Sequence, residues 1–216
     1  MEYTIFTKES LGALREQLRG AMSEKRYRHT VAVEEMVTRL AALYCPEKID
    51  VLRAAALLHD ITKELDTEEQ IRICHEKGIP VEDHAELAPK VFHAKTAAAL
   101  IPDLYPTYAH PEVISAVRWH TTGHAHMTLS EKLVYLADYI DESRRFPDCV
   151  RLRNLFWDAQ PQTMTPDKRA EHLRDVLIVS YEMTVRSLLD DGALISADTM
   201  LARNELIIDK KRKCNH

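Results

Sequence analysis

Apolar residues recur at helical spacing along almost the whole chain. Val33, Val37 and Leu40, for example, fall at positions i, i+4 and i+7, which is the spacing of one face of an α-helix. No alternating strand pattern competes over more than a few residues. The pattern predicts helices over residues 11–18, 24–45, 49–61, 67–77, 91–100, 111–120, 129–140, 166–188 and from 197 onward. The predicted fold is therefore an all-α, single-domain, irregular helical bundle.

Several local signals refine these helices. The segments Thr67–Gln70 and Thr128–Glu131 both have the spacing of a capping box and are expected to open helices. Gly78 is expected to close the first of these helices, and Pro102 to stop the helix that precedes it. The helix over 49–61 is almost continuously apolar, which places it in the middle of the bundle.

Composition and charge exclude several classes of protein. With 29 Lys and Arg against 34 Asp and Glu, the net charge is −5, which argues against nucleic-acid binding. Apolar stretches fall short of the roughly 18 residues that suggest a membrane span. The N-terminus shows no secretory signal, and the four cysteines are too scattered for a disulfide framework. We therefore expect a soluble, cytoplasmic protein without nucleic-acid or membrane partners.

Histidines and aspartates interrupt the apolar faces at several places. His59 and Asp60 end the most apolar helix, where they could merely cap it. The other residues of this kind are His29, His93, His120 and Asp138. One buried histidine is usually a hydrogen-bonded core residue, but four histidines and two aspartates suit two metal ions bridged by a carboxylate. These residue types admit Fe, Mn, Co, Ni or Zn.

The order of these residues resembles the HD-domain superfamily of metal-dependent phosphohydrolases. Longer stretches resemble one bacterial branch, the YqeK-type symmetrical diadenosine tetraphosphate hydrolases, over roughly residues 20–210. The segments that carry the resemblance are Arg26-Tyr27-Arg28-His29-Thr30, residues 58–63, Arg118-Trp119-His120-Thr121-Thr122-Gly123 and residues 131–140. The His-Thr-Thr-Gly segment followed by Tyr-Leu-Ala-Asp-Tyr-Ile is the most specific of them.

The resemblance implies a reaction and a ligand set. The reaction is cleavage of diadenosine tetraphosphate to two ADP by a metal-bound hydroxide, with two divalent ions, most often iron in this branch. The implied ligands are His29, His59, Asp60 and Asp138 for one ion, with Asp60 bridging to a second ion held by His93 and His120. One HD domain is implied over 1–216, with a metal-binding core over about 20–160 and C-terminal helices over about 165–211 packed on it. A homodimer is left open.

Further residues are candidates for contact with the nucleotide. Lys63 follows Asp60 by three positions, and Arg26 precedes His29 by three, so both are expected near the ions, with Lys63 and Asp60 as catalytic residues. The candidate substrate-binding residues are Arg26, Lys63, Thr121, Thr122, Gly123, His124 and Arg144, with Arg145 as an alternative to Arg144.

One departure from the branch concerns its substrate. His124 stands where the family commonly has an arginine, so an always-charged, bidentate phosphate donor is lost. An HD phosphohydrolase acting on dNTPs, (p)ppGpp-like alarmones or nucleoside monophosphates is therefore an alternative. A catalytically inert nucleotide-binding HD protein is a second alternative, and a purely structural bundle is a third.

Overall fold

Helices form nearly all of the architecture. A computed structural model describes residues 5–81 and 88–214, and within them the chain forms ten α-helices and no β-strand. They are α1 (Lys8–Arg19), α2 (Glu24–Tyr44), α3 (Ile49–Leu58), α4 (Thr67–Glu76), α5 (Phe92–Leu104), α6 (Pro111–Trp119), α7 (Leu129–Ile140), α8 (Pro147–Asp158), α9 (Pro166–Asp190) and α10 (Ala197–Cys214). None of these helices is long and apolar enough to cross a membrane. The all-α prediction is confirmed, while residues 1–4, 82–87 and 215–216 of the predicted domain lie outside the described parts.

Helix α3 lies at the centre of the bundle, as its apolar sequence predicts. Nearly all its side chains, from Val51 to Leu58, are buried, and the helix packs against α1, α2, α6 and α7. It ends at Leu58 rather than at Ile61, and a turn closed by the bond from the Lys63 amide to the Asp60 carbonyl (3.0 Å) follows. His59 and Asp60 therefore lie at the end of the most buried helix.

The two predicted capping boxes have different outcomes. At α7 the prediction is confirmed, because Thr128 Oγ1 accepts from the Glu131 amide (3.3 Å) and the Glu131 carboxylate accepts from the Thr128 amide (2.6 Å). At α4 the prediction is wrong by one residue, because Asp66 is the N-cap and accepts from the Glu69 amide (2.8 Å). A carboxylate there also interacts favourably with the positive end of the helix dipole.

One further expectation about helix limits was wrong, and one helix was not predicted. Helix α5 continues through Pro102 to Leu104, because a proline in the last turn removes only one backbone hydrogen bond and the Tyr105 amide still closes the helix on Ile101. Helix α8 was not predicted. Its buried residues follow the helical spacing i, i+3, i+4 and i+7, but a buried arginine occupies one of these positions and hides the pattern: Cys149, Leu152, Arg153 and Phe156.

Helix α9 connects the C-terminal helices to the rest of the bundle. It packs against α7, α8 and α10, and its Tyr181 stacks on Tyr135 of α7 with ring centroids 4.7 Å apart. Gly123, in the turn after α6, has a φ of +62° and lies directly against Tyr181. An added Cβ at Gly123 would lie 2.0 Å from the Tyr181 hydroxyl.

We expect Gly123→Ala to lower the free energy of unfolding by about 3 kcal/mol, because it adds left-handed backbone strain to overpacking. Gly12→Ala is the matched control, since a Cβ at Gly12, in the middle of α1, meets nothing within 4 Å. Urea denaturation should show the control unchanged or slightly stabilised. Adding Tyr181→Phe to Gly123→Ala should recover part of the loss, and no recovery would contradict the close contact.

Candidate metal centre

Helix ends bring the predicted ligands together from five parts of the chain. His29 lies near the start of α2, His59 and Asp60 directly follow α3, and His93 is the second residue of α5. The remaining two are His120, directly after α6, and Asp138, near the end of α7. All but Asp138, whose side chain is 19 % exposed, are buried.

One group of ligand atoms faces the Oδ2 side of Asp60. Nε2 of His29 lies 2.9 Å from Asp138 Oδ1 and 3.7 Å from Asp60 Oδ2. Nε2 of His59 lies 3.3 Å from Asp60 Oδ2 and 3.8 Å from Asp138 Oδ1. These two imidazoles and two carboxylates could hold one cation.

A second group faces the other oxygen of the same carboxylate. Asp60 Oδ1 lies 3.3 Å from Nε2 of His93 and 3.7 Å from Nε2 of His120. The two Nε2 atoms are 3.0 Å apart. The single Asp60 carboxylate thus stands between two groups of ligand atoms, which is the arrangement of a bridging ligand.

The helix ends also set the orientation of two imidazoles. His59 Nδ1 donates to the Ala56 carbonyl (2.6 Å), and His120 Nδ1 donates to the Val117 carbonyl (2.7 Å). Both bonds exist because each histidine is the first residue after a helix, where the last carbonyls have no amide partner. With the proton on Nδ1, the Nε2 lone pair points into the centre, as in metal-bound histidines.

A buried polar atom supports the fit to a cation. Nε2 of His59 is buried and makes no hydrogen bond within the described residues. Such an atom is costly to bury unless a ligand binds it. Together with the carboxylates of Asp60 and Asp138, this imidazole nitrogen provides the nitrogen and oxygen ligands that divalent transition metals prefer.

The charge states of these groups bear on cation binding in opposite ways, because His29 carries a proton that a cation must displace, whereas His93 and His120 do not. Burial opposes charge on His29, but its close contacts with the carboxylates of Asp138 and Asp141 outweigh burial and raise its pKa to about 9. Burial lowers the pKa of His93 and His120, so both are neutral. Burial acts against ionised Asp60, but the histidines around it hold its pKa well below the usual value.

A cleft of about 580 Å³ opens beside the centre. Lys63, Thr121 and Arg144 line it, together with His120 and Asp138. Lys63 Nζ lies 3.1 Å from His93 Nε2, and Thr121 Oγ1 lies 3.0 Å from the same atom. These residues are therefore placed where a bound anion could meet both ligand groups.

Two arginines contact the ligand carboxylates. Arg26 forms an ion pair with Asp60, and Arg144 Nη2 lies 2.5 Å from Asp138 Oδ1. Arg144 Nε also donates to the Asp138 carbonyl (2.9 Å). Arg144 lines the cleft and Arg145 is exposed outside its lining, so Arg144 is the one that the structure brings to the site.

Three predicted substrate contacts lie elsewhere. The Gly123 amide donates to the Trp119 carbonyl (2.9 Å), and the Thr122 hydroxyl donates to the Gly123 carbonyl (3.0 Å), so neither group is free for a substrate. His124 Nε2 lies 3.1 Å from Glu131 Oε2, and its ring packs on Trp119. His124 lines a separate cavity against α10, so the structure does not bring it to the cleft.

Sequence reasoning missed Asp141, which supports the first group from behind. Asp141 is fully buried, its Oδ2 lies 3.4 Å from His29 Nδ1, and its Oδ1 accepts from the Ser143 amide (2.8 Å). It comes directly after α7 in a charged segment that looks like an exposed loop. The sequence offers one hint, which is that Asp141 lies three residues after Asp138 and would share its face of a helix.

The bundle and its shared carboxylate define a class of protein. The HD domain family matches residues 26–143, a segment that contains all six candidate ligands. The chain belongs to the HD-domain family. Within it, the chain belongs to the branch of symmetrical bis(5'-nucleosyl)-tetraphosphatases, as the following relatives show.

The chain is similar over most of its length to curated proteins named "Bis(5'-nucleosyl)-tetraphosphatase, symmetrical". It is 30 % identical to the one from Halalkalibacterium halodurans, covering 88 % of this chain and 93 % of the relative. It is also 30 % identical to the one from Bacillus subtilis, covering 92 % and 96 %. A similar solved structure is described as a predicted HD superfamily hydrolase involved in NAD metabolism, from Clostridium acetobutylicum. It has a TM-score of 0.76 and 30 % identity, covering 92 % of this chain and 97 % of that one.

We expect cation binding at pH 7.5 to release about one proton, because His29 must lose its proton to act as a ligand. The raised pKa of His29 means that apparent affinity increases with pH up to about 9. Titration calorimetry with Mn²⁺ in buffers of different ionisation enthalpy measures the number of protons. Asp141→Asn should reduce the release and Glu142→Gln, at the exposed neighbour, should not; equal release in all three proteins would contradict the assignment.

Proposed function

We propose that this chain is a hydrolase that cleaves diadenosine tetraphosphate symmetrically to two ADP. The observation that carries the proposal is the position of Asp60, whose two oxygens face two groups of ligand atoms beside a cation-lined cleft. The relatives named for this activity support it over nearly the whole chain. The reaction adds one water across the central P–O–P linkage.

The proposal includes two divalent ions. His29, His59, Asp60 and Asp138 would hold one, and Asp60, His93 and His120 the other, in agreement with the distances above. When bound, two such cations lower the pKa of a water molecule and offset charge on the phosphoryl oxygens. We propose iron as the metal, although nitrogen and oxygen ligands also admit Mn, Co, Ni or Zn.

The basic side chains at the cleft and at Asp60 have distinct proposed roles. Lys63 Nζ lies 3.1 Å from His93 Nε2. From there its ammonium group would contact a phosphoryl oxygen and offset negative charge on the departing ADP. Arg144 is held by the Asp138 carbonyl and carboxylate, so its guanidinium enters the cleft in a fixed orientation. Arg26 lies on the Oδ2 side of Asp60 and adds positive charge there. Thr121 adds a hydroxyl at the cleft wall.

The surroundings of the cleft bear on the alternatives. The missing arginine at His124 counts less against a polyphosphate substrate than the sequence suggested, because His124 pairs with Glu131 outside the cleft. Hydrolysis of another nucleotide remains the main alternative. A cytoplasmic location is part of the proposal, and the free, buried cysteines Cys45, Cys74 and Cys149 support it.

We expect protein loaded anaerobically with Fe²⁺ to convert diadenosine tetraphosphate to ADP as sole product. Asp60→Ala should abolish turnover and reduce the iron content, because both ligand groups lose a shared member. Asp158→Ala, at an exposed carboxylate at the end of α8, is the control and should keep full activity. Anion-exchange chromatography separates the products.

Other product patterns would change the assignment. AMP plus ATP would overturn symmetrical cleavage. Faster turnover of NAD⁺, dATP or ppGpp in parallel assays would replace the substrate, and iron binding without turnover of any of them would favour an inert binding protein.

We expect Lys63→Met to lower kcat about 100-fold while leaving the metal content unchanged, because it removes positive charge beside the reacting phosphate. Lys63→Arg should retain part of the activity. Lys25→Met, at an exposed position of α2, is the control and should match the wild type. Loss of metal in Lys63→Met would instead indicate that Lys63 acts by supporting His93.

A further inference from the structure

The cleft has two ends of different chemistry. A neighbouring cavity between α8 and α9 shares Asp148, Ser187 and Asp191 with the cleft and contains none of the candidate metal ligands. These three residues therefore mark the end of the cleft that lies away from the metal centre. Lys63 and Arg144 lie at the metal end, and Asp148 and Asp191 lie at the other end, where Arg151 and Arg186 line the neighbouring cavity.

Phe146 lines the cleft on the segment that leads to Asp148. It is 68 % exposed, more than any other large apolar side chain among the described residues. Leaving a phenylalanine this exposed forgoes the favourable free energy of burying its ring. Core packing therefore does not explain this residue.

Local backbone structure does not explain Phe146 either. It is the N-cap of α8, yet it makes no side-chain capping hydrogen bond, and Ser, Thr, Asp or Asn would stabilise the helix better there. Pro147 follows it and restricts its backbone to the extended form observed (φ −61°, ψ 137°). The exposed ring is thus held on a restricted backbone at the wall of the cleft.

We propose that Phe146 stacks on the base of one ADP half of the substrate. The inference rests on the proposed function, because it requires a nucleotide whose phosphates lie at the metal centre. The carboxylates of Asp148 and Asp191 repel phosphates but accept hydrogen bonds from ribose hydroxyls and the adenine amino group. Lys63 and Arg144 thus hold the phosphates at the metal centre, and the nucleoside extends along the cleft wall that carries Phe146.

The test compares a ligand that has a base with one that has none. Titration calorimetry on the metal-loaded protein should give about tenfold weaker ADP binding in Phe146→Ala than in the wild type. Loss of one base–aromatic stack weakens binding by about this factor or more. Inorganic pyrophosphate should bind Phe146→Ala and wild type equally. Phe146→Tyr should restore ADP binding. Leu155→Ala, at a 44 % exposed residue of α8 outside the cleft lining, is the matched control and should bind both ligands normally.

Each result decides the inference. Unchanged ADP binding in Phe146→Ala would overturn it, as would equal weakening for ADP and pyrophosphate, which would indicate a disturbed phosphate end. If diadenosine tetraphosphate is not hydrolysed but ADP binding still depends on Phe146, the proposed substrate fails and the base contact stands. If hydrolysis proceeds and ADP binding is unaffected, only the base contact fails.

Discussion

The site depends on one buried carboxylate that is shared between two groups of imidazoles. Asp60 is only 4 % exposed, and an isolated negative charge at such a position would be strongly unfavourable. Its cost is offset because Arg26 contacts it and the nearby histidines favour its ionised form. The ends of α2, α3, α5 and α6 supply those neighbours, so the charge on Asp60 is tolerated only where these helix ends meet.

The candidate metal ligands and the opposite wall of the cleft come from different parts of the chain. The matched segment, 26–143, contains every candidate metal ligand, together with Lys63 and Thr121. The wall opposite the centre comes from later residues on α8 and α9, among them Asp148, Thr184 and Leu188. The HD segment therefore supplies the candidate metal ligands, and the helices beyond it supply the opposite wall of the cleft.

Periodicity predicted the helical fold, because helix formation depends on local spacing. The residues that converge were predicted from the family resemblance, because they come from five distant parts of the chain. Some helix limits were predicted wrongly because neighbouring residues can serve equally well. Either Asp66 or Thr67 could cap α4, and α5 could end before Pro102 or include it in its last turn. The positions of His124 and Gly123 could not be predicted, because they depend on Glu131 and Tyr181, which approach only in the folded chain. Asp141 and Phe146 were missed because, in a polar loop, an aspartate is expected to be exposed and a phenylalanine to be buried, and the structure shows the reverse.

The contact between Gly123 and Tyr181 has an evolutionary consequence. The turn that begins at His120 fits against α9 because position 123 has no side chain, so that the Tyr181 hydroxyl can approach its backbone closely. A larger residue at position 123 would add left-handed backbone strain that no change at position 181 relieves. Glycine is therefore expected to persist at position 123 among descendants of this chain, while position 181, 58 residues later in sequence, can become smaller but not larger.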